Sequence, residues 1–174
     1  MLSRVLSDFD GRSFAEAASY LAEFSRSRDL NPSRYSLRFH GPNGHATFMH
    51  MDAPYGFVLK RNGNRSIAFL AFDAENDYII IRQIQGAFGE MEDLKQIRWE
   101  RMLLRIAVDW TSANSFKQIR VQKAEDNRYW DDYSGKRQER LRMRYDVTAK
   151  RSGFRFDESL NCWVLNLEYS EATK

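Results

Sequence analysis

Apolar residues change their spacing several times along this chain, and each change predicts an element. Phe14, Ala17, Ala18 and Leu21 recur at three- and four-residue intervals, the face of an amphipathic helix. Ser13 and Glu16 have the spacing of a capping box, in which two side chains take up N–H groups left unpaired at a helix start. Asn31-Pro32 ends the pattern, and alternation replaces it. Segments 35–40 and 45–51 flank Gly41-Pro42-Asn43-Gly44, and segments 55–61 and 66–73 flank Asn62-Gly63-Asn64. Asn-Gly is a strong hairpin signal because both residues tolerate positive φ. An antiparallel meander follows from this, with 73–77 turning into a further strand over 78–85. Residues 67–72 and 78–81 are apolar at successive positions, so both faces of the sheet need cover and helices are expected on both.

The 78–85 strand runs into Gln83-Ile84-Gln85-Gly86-Ala87-Phe88-Gly89, and helical spacing returns over 93–114. Trp99, Met102, Leu103, Ile106, Ala107 and Trp110 make one stripe of that helix, and Ile97, Leu104 and Val108 widen it. Arg98, Arg101, Arg105, Asp109 and Ser112 are left on a narrow polar face. A strand over 116–122, a helix over 136–152 closed by Gly153, and strands over 154–156 and 162–169 complete the chain. The fold class is α/β (α+β), with a mixed, mostly antiparallel central sheet. No repeat or linker divides the 174 residues, so one domain spans 1–174, with 1–11 and 170–174 expected to be loosely ordered.

Charge adds little by itself. A formal net charge of +3 does not announce a nucleic-acid partner. Most of the 27 basic residues are arginine, whose planar fork suits phosphates and carboxylates. Cys162 is the only cysteine, which excludes an internal disulfide and argues against a thiolate metal site. His40 and His45 flank a hairpin loop, but third and fourth metal ligands are not evident, so no metal is expected. The first ten residues are broken by charge and no apolar run approaches membrane-spanning length. A cytoplasmic protein without membrane contact is therefore expected. Hydrolase, zincin and Walker-type signatures are absent.

Two segments carry candidate chemistry. A strand–glycine loop–helix order lets backbone approach phosphate and sets a helix start near it. The acidic run Glu90-Met91-Glu92-Asp93 opposes that use unless its side chains turn outward. Further on, Arg128-Tyr129-Trp130-Asp131-Asp132-Tyr133 precedes Arg137, Arg140, Arg144 and Arg151, which share one sector of the predicted helix. Aromatics beside an arginine stripe suit a nucleic acid, through Arg137, Arg140 and Arg144. A solvated helix face explains the same pattern.

The element order, the glycine loop and the Gly153-Phe154 ending together resemble the GNAT superfamily of acyl-CoA-dependent N-acyltransferases. The resemblance implies a sheet splayed between strands 78–85 and 117–122, with acetyl-CoA or another acyl-CoA in the gap. It also implies a pyrophosphate over the start of the 93–114 helix, held by Gln83, Ile84, Gln85, Gly86, Ala87, Phe88 and Gly89. Gln83 and Gly86 match the family pattern Gln/Arg-x-x-Gly-x-Gly/Ala, whereas Phe88 stands at its second small position. Family members often carry a glutamate near the end of the preceding strand; here the strand has none and Glu90 is the nearby candidate. The family's proton-donating tyrosine position is Ala149, and Tyr145 lies one turn upstream with a core role competing. Asn127 corresponds to the family's asparagine after the 117–122 strand, with 128–136 inserted before the helix; that insert and the arginine stripe after it could instead hold the adenine and 3′-phosphate of CoA or an acidic acceptor. The implied function is acyl transfer to an amine: a small molecule, a protein amino group or an aminoacyl-tRNA. The alternative is a non-catalytic scaffold binding nucleic acid or an acidic partner through Arg98, Arg101 and Arg105 or through Arg137, Arg140 and Arg144. A homo-oligomer anchored by exposed aromatics is a third reading.

Overall fold

The Asn62-Gly63 turn has φ of 49° and 81°, both positive, and joins β2 (Tyr55–Arg61) to β3 (Arg65–Ala74) as an antiparallel hairpin. A computed structural model describes residues 17–41, 51–63, 65–87 and 91–167. The Ser13/Glu16 pair, the 45–50 segment with His45 and His50, residues Phe88, Gly89 and Glu90, and the 1–11 and 170–174 ends lie outside them. β1 (Tyr35–His40) pairs with β2, and β3 pairs with β4 (Tyr78–Gly86). Among the described residues the sheet has seven strands in the order β1-β2-β3-β4-β5-β7-β6, with β5 at Gln118–Gln122, β6 at Arg155–Asp157 and β7 at Cys162–Asn166. Of these described strands, β4 and β5 run parallel and the other pairs are antiparallel. This is the mixed α/β architecture that the strand and helix patterns imply.

Register decides which side chains meet. Phe39 lies across from Phe57, and Tyr55 across from Phe72, so these rings gather on one face. Trp110 of α3 (Trp99–Ala113) seats on them, with centroids 5.5 Å from Phe39, 5.8 Å from Phe57 and 5.4 Å from Phe72. Burial of each such ring contributes about 1.5–3 kcal/mol. The same core takes Leu21 and Phe24 of α1 (Ala17–Phe24) and the buried stripe of α3. On the other face Val58, Phe69 and Ala71 form a second cluster with Ala53, and Met51 packs against it. There, among the described residues, the 51–54 segment supplies cover. None of the described helices is long and apolar enough to cross a membrane.

Both long helices are interrupted. The 93–114 helix is α2 (Met91–Lys95) followed by α3, with Gln96-Ile97-Arg98 leaving the helical path. Arg26 N–H donates to the Gln96 carbonyl and Arg98 N–H to the Phe24 carbonyl, while Ser25 and Ile97 form a β-bridge. Backbone groups paired with the end of α1 are lost to the helical ladder, so the helix breaks there. The 136–152 helix is α4 (Lys136–Arg142), a π turn over Met143–Val147, and α5 (Thr148–Arg151). Gly153 has φ +90°, and Phe154 N–H bonds the Ala149 carbonyl, the closing bond of a Schellman ending.

Candidate functional site

Pairing between β4 and β5 stops at Ile81 and Val121. Beyond that point the strands separate, and side chains take over the backbone groups that a continued ladder would have used. Arg82 carbonyl accepts from Gln122 Nε2 at 2.5 Å and from the Tyr145 hydroxyl at 3.3 Å. Ile84 N–H donates to Tyr145 Oη at 3.1 Å, and Asn127 Nδ2 donates to the same oxygen at 2.9 Å. Ala87 N–H bonds the Ile67 carbonyl, so by antiparallel alternation Ile84 and Gly86 turn their N–H groups toward the gap. Tyr145 is 1% exposed, and burial pushes its hydroxyl above the ordinary tyrosine range. It sits in the π turn, a local insertion often found at functional sites.

A cavity of about 820 Å³ opens on this gap. Residues 83–87 supply part of its wall, and Arg137, Arg140, Leu141, Arg144 and Tyr145 supply another. Asn127, Tyr129 and Tyr133 are also in the lining, which among the described residues contains no carboxylate. The spacing of 137, 140 and 144 on one helix face is what brings three guanidiniums to one space. Arg137 and Arg140 are exposed, and Arg144 lies over the Trp99 ring at 5.5 Å. Among the described residues these three form no ion pair, whereas Arg105 is held by Asp109, Arg128 by Asp52 and Arg142 by Glu125. The aromatic insertion stacks on itself: Arg128 over Tyr129 at 4.9 Å, Tyr129 against Tyr133 at 6.1 Å, and Arg137 over Tyr133 at 5.6 Å.

The structure thus gathers Gln83, Ile84, Gln85, Gly86, Ala87, Asn127, Tyr145, Arg137, Arg140 and Arg144 around one cavity. It does not bring Arg98, Arg101 or Arg105 there, and Arg151 is also not among the lining. Two expectations about the loop change in detail. A Cβ on Gly86 would lie 2.7 Å from Leu94 Cδ1 and 3.4 Å from Trp99 Cζ2, so helix packing by itself demands that glycine. Gln83 is 3% exposed; its Oε1 accepts from Asp52 N–H at 2.8 Å and its Nε2 donates to Gln85 Oε1 at 2.9 Å. Asp52 in turn pairs with Arg128 at 2.7 Å, so a polar chain links the segment before β2 to the loop after β5. Asp52 carried no signal in the sequence, since a lone aspartate before a strand reads as a turn. Tyr129 and Tyr133 stood out as aromatics in a charged insertion, but only the fold places them beside Gly86.

Cys162 is buried, and burial pushes its thiol up, as suits an unreactive core position. No cluster of three or more metal-ligating side chains occurs among the described residues.

No family model matches the sequence, and no curated protein matches it. Among solved structures, the fold is similar to a GNAT family N-acetyltransferase (YhbS) from Escherichia coli in complex with CoA. The TM-score is 0.43 at 9% identity, over 66% of this chain and 59% of the other. The match therefore spans under two thirds of that protein's length.

Proposed function

We propose that this protein binds an acyl-CoA in the gap between β4 and β5 and transfers the acyl group to an amine. The observation that carries the reading is the separation of the two parallel strands after Ile81 and Val121, opening on a cavity whose charged lining groups, among the described residues, are three arginines. Its volume, about 820 Å³, falls in the range of small-molecule sites. An acyl-CoA fits such a lining, because its phosphates need cations and its pantetheine arm needs backbone partners along a strand edge. When bound, it supplies an acyl carbon already activated as a thioester.

In this reading the chain works mainly by placement. The outward Gly86 N–H is available to polarise the thioester oxygen. The amine nitrogen then attacks the acyl carbon, a C–N bond forms as the C–S bond breaks, and the sulfur leaves with the electron pair. The proton lost by the amine passes to water or to a carboxylate, for which Glu90 is the candidate beside the loop. Tyr145 and Asn127 act as props of the gap, since the tyrosine hydroxyl already donates once and accepts twice. The test is a melting series. Acetyl-CoA at millimolar concentration is expected to raise Tm by several degrees and adenosine is not, because only a ligand of the native state stabilises it. Release of free CoA thiol with a supplied amine reports transfer. No shift with acetyl-CoA sinks the reading.

One observation favours a second reading. With no carboxylate or histidine in the described lining and the Tyr145 hydroxyl committed, the cavity holds no evident general base among the described residues, only the Tyr129 and Tyr133 phenols. The fold would then serve as a non-catalytic module that binds nucleic acid through Arg137, Arg140 and Arg144. Salt-sensitive RNA retention, without any acetyl-CoA shift, is its signature.

A further inference from the structure

Three features of the glycine loop leave it poorly equipped to hold phosphate by itself. On the side where a Cβ would stand, Gly86 meets Leu94 Cδ1 at 2.7 Å and the Trp99 ring, so that side admits no phosphate. Of the helix that follows, Met91–Lys95 is described, and in it Glu92 stands exposed, paired with Lys95 at 2.6 Å, an acidic group set against a phosphate. The longer α3 begins only at Trp99, and Arg98 N–H just before it is tied to the Phe24 carbonyl of α1.

Across the cavity the opposite condition holds. Arg137, Arg140 and Arg144 converge on it, and among the described residues none of the three makes an ion pair, although Arg128 and Arg142 nearby both do; Glu100, outside the lining, feels the charge of Arg144. Like charges one helical turn apart repel, so such a row opposes folding unless an anion supplements it. Seven residues of helix rise about 10 Å, which spans two or three phosphate groups rather than one carboxylate. Arg137 is steered by the Tyr133 ring and Arg144 by the Trp99 ring, so two of the three forks are oriented before any ligand arrives.

We infer that phosphate recognition in this chain belongs to the arginine row of α4 and the π turn, Arg137, Arg140 and Arg144, and that its ligand is a small nucleotide-type molecule bearing two or more phosphates. This rests on the proposal that the gap takes an acyl-CoA, and it assigns the nucleotide end of that ligand to the side of the gap away from the glycine loop. The ligand's thioester end is thereby left beside Gly86.

The experiment is a calorimetric titration of the full chain with acetyl-CoA, with acetyl-pantetheine (the same thioester without phosphates) and with the phosphate-bearing nucleotide half of CoA. Acetyl-CoA and the nucleotide half are expected to bind with affinities that fall as KCl rises, and acetyl-pantetheine at least tenfold more weakly. Arg137→Ala and Arg140→Ala, at exposed positions where folding is not at stake, are each expected to cost roughly tenfold in affinity for both phosphate ligands. Neither should alter binding of acetyl-pantetheine. Arg142→Ala, whose partner Glu125 lies outside the cavity, is the control expected to bind as wild type. Unchanged acetyl-CoA affinity in Arg137→Ala and Arg140→Ala overturns the inference while leaving acyl transfer standing. Arginine-dependent binding of the nucleotide half, with no thiol release from acetyl-CoA, leaves the inference standing and removes acyl transfer. Retention of RNA with no binding of either small phosphate ligand overturns both.

Discussion

Tyr145 shows how one side chain substitutes for a missing stretch of sheet. Its hydroxyl accepts from Ile84 N–H and from Asn127 and donates to the Arg82 carbonyl, across the place where β4 and β5 part. Tyr145→Phe strands a buried N–H, an amide and part of a carbonyl, and is expected to cost about 1–3 kcal/mol in urea unfolding. Hydrogen exchange should locate the loss: the Ile84 amide exchanges faster, and those of Ile79 and Ile81, within paired β4, do not. The raised hydroxyl pKa adds a pH dependence. Stability due to this group is full below the unfolded tyrosine value and is lost as pH rises through the higher folded one, so Tyr145→Phe should flatten the alkaline branch of the stability curve. Glu100 offers a second test at this scale. Burial raises its carboxyl pKa, against the pull of Arg144 and Arg26. A raised carboxyl stabilises below its unfolded value and loses that contribution as pH climbs through the folded one. Glu100→Gln is therefore expected to raise Tm at pH 7, with the advantage vanishing in scans below about pH 4.

Among the elements, strands follow their local sequence closely and helices less so. The β2–β3 hairpin could be read directly because Asn62-Gly63 adopts the positive φ values that few other pairs tolerate. The helix break at Gln96-Ile97-Arg98 could not, because it depends on bonds to the end of α1, some seventy residues earlier. Apolar spacing through Leu94, Ile97 and Trp99 fits a continuous helix equally well. The π turn was similarly hidden, since one extra residue per turn barely alters the apolar pattern. A close approach within the sheet gives a prediction of its own. A Cβ on Gly56 would lie 2.8 Å from both the Leu70 carbonyl oxygen and Met51 Sδ. A strand carbonyl cannot yield without shifting β3, so Gly56→Ala is expected to destabilise by about 1–3 kcal/mol or more, read as a lower urea midpoint at unchanged slope.

For the molecule as a whole, the candidate site is made by assembly. Its lining is drawn from residues 83–87, 127–133 and 137–145, which meet only because β4 and β5 are neighbours joined through α3. The glycine loop, Asn127, Tyr145 and the arginine row were each visible in the sequence as separate features. Their convergence was not, and neither were Asp52 and its bond to Arg128, which join segments 76 positions apart. By itself the sequence determined the local matters: strand and helix periods, the Asn-Gly turn, the Gly153 ending, and the placement of three arginines on one helical face. These are set by φ preference and side-chain spacing over a few residues. Only the tertiary structure decided that pairing stops after Ile81, that Tyr145 fills the breach, and that the arginine row faces it with no ion pair among the described residues. Those depend on which distant groups satisfy each buried N–H and carbonyl, a competition that no local pattern records.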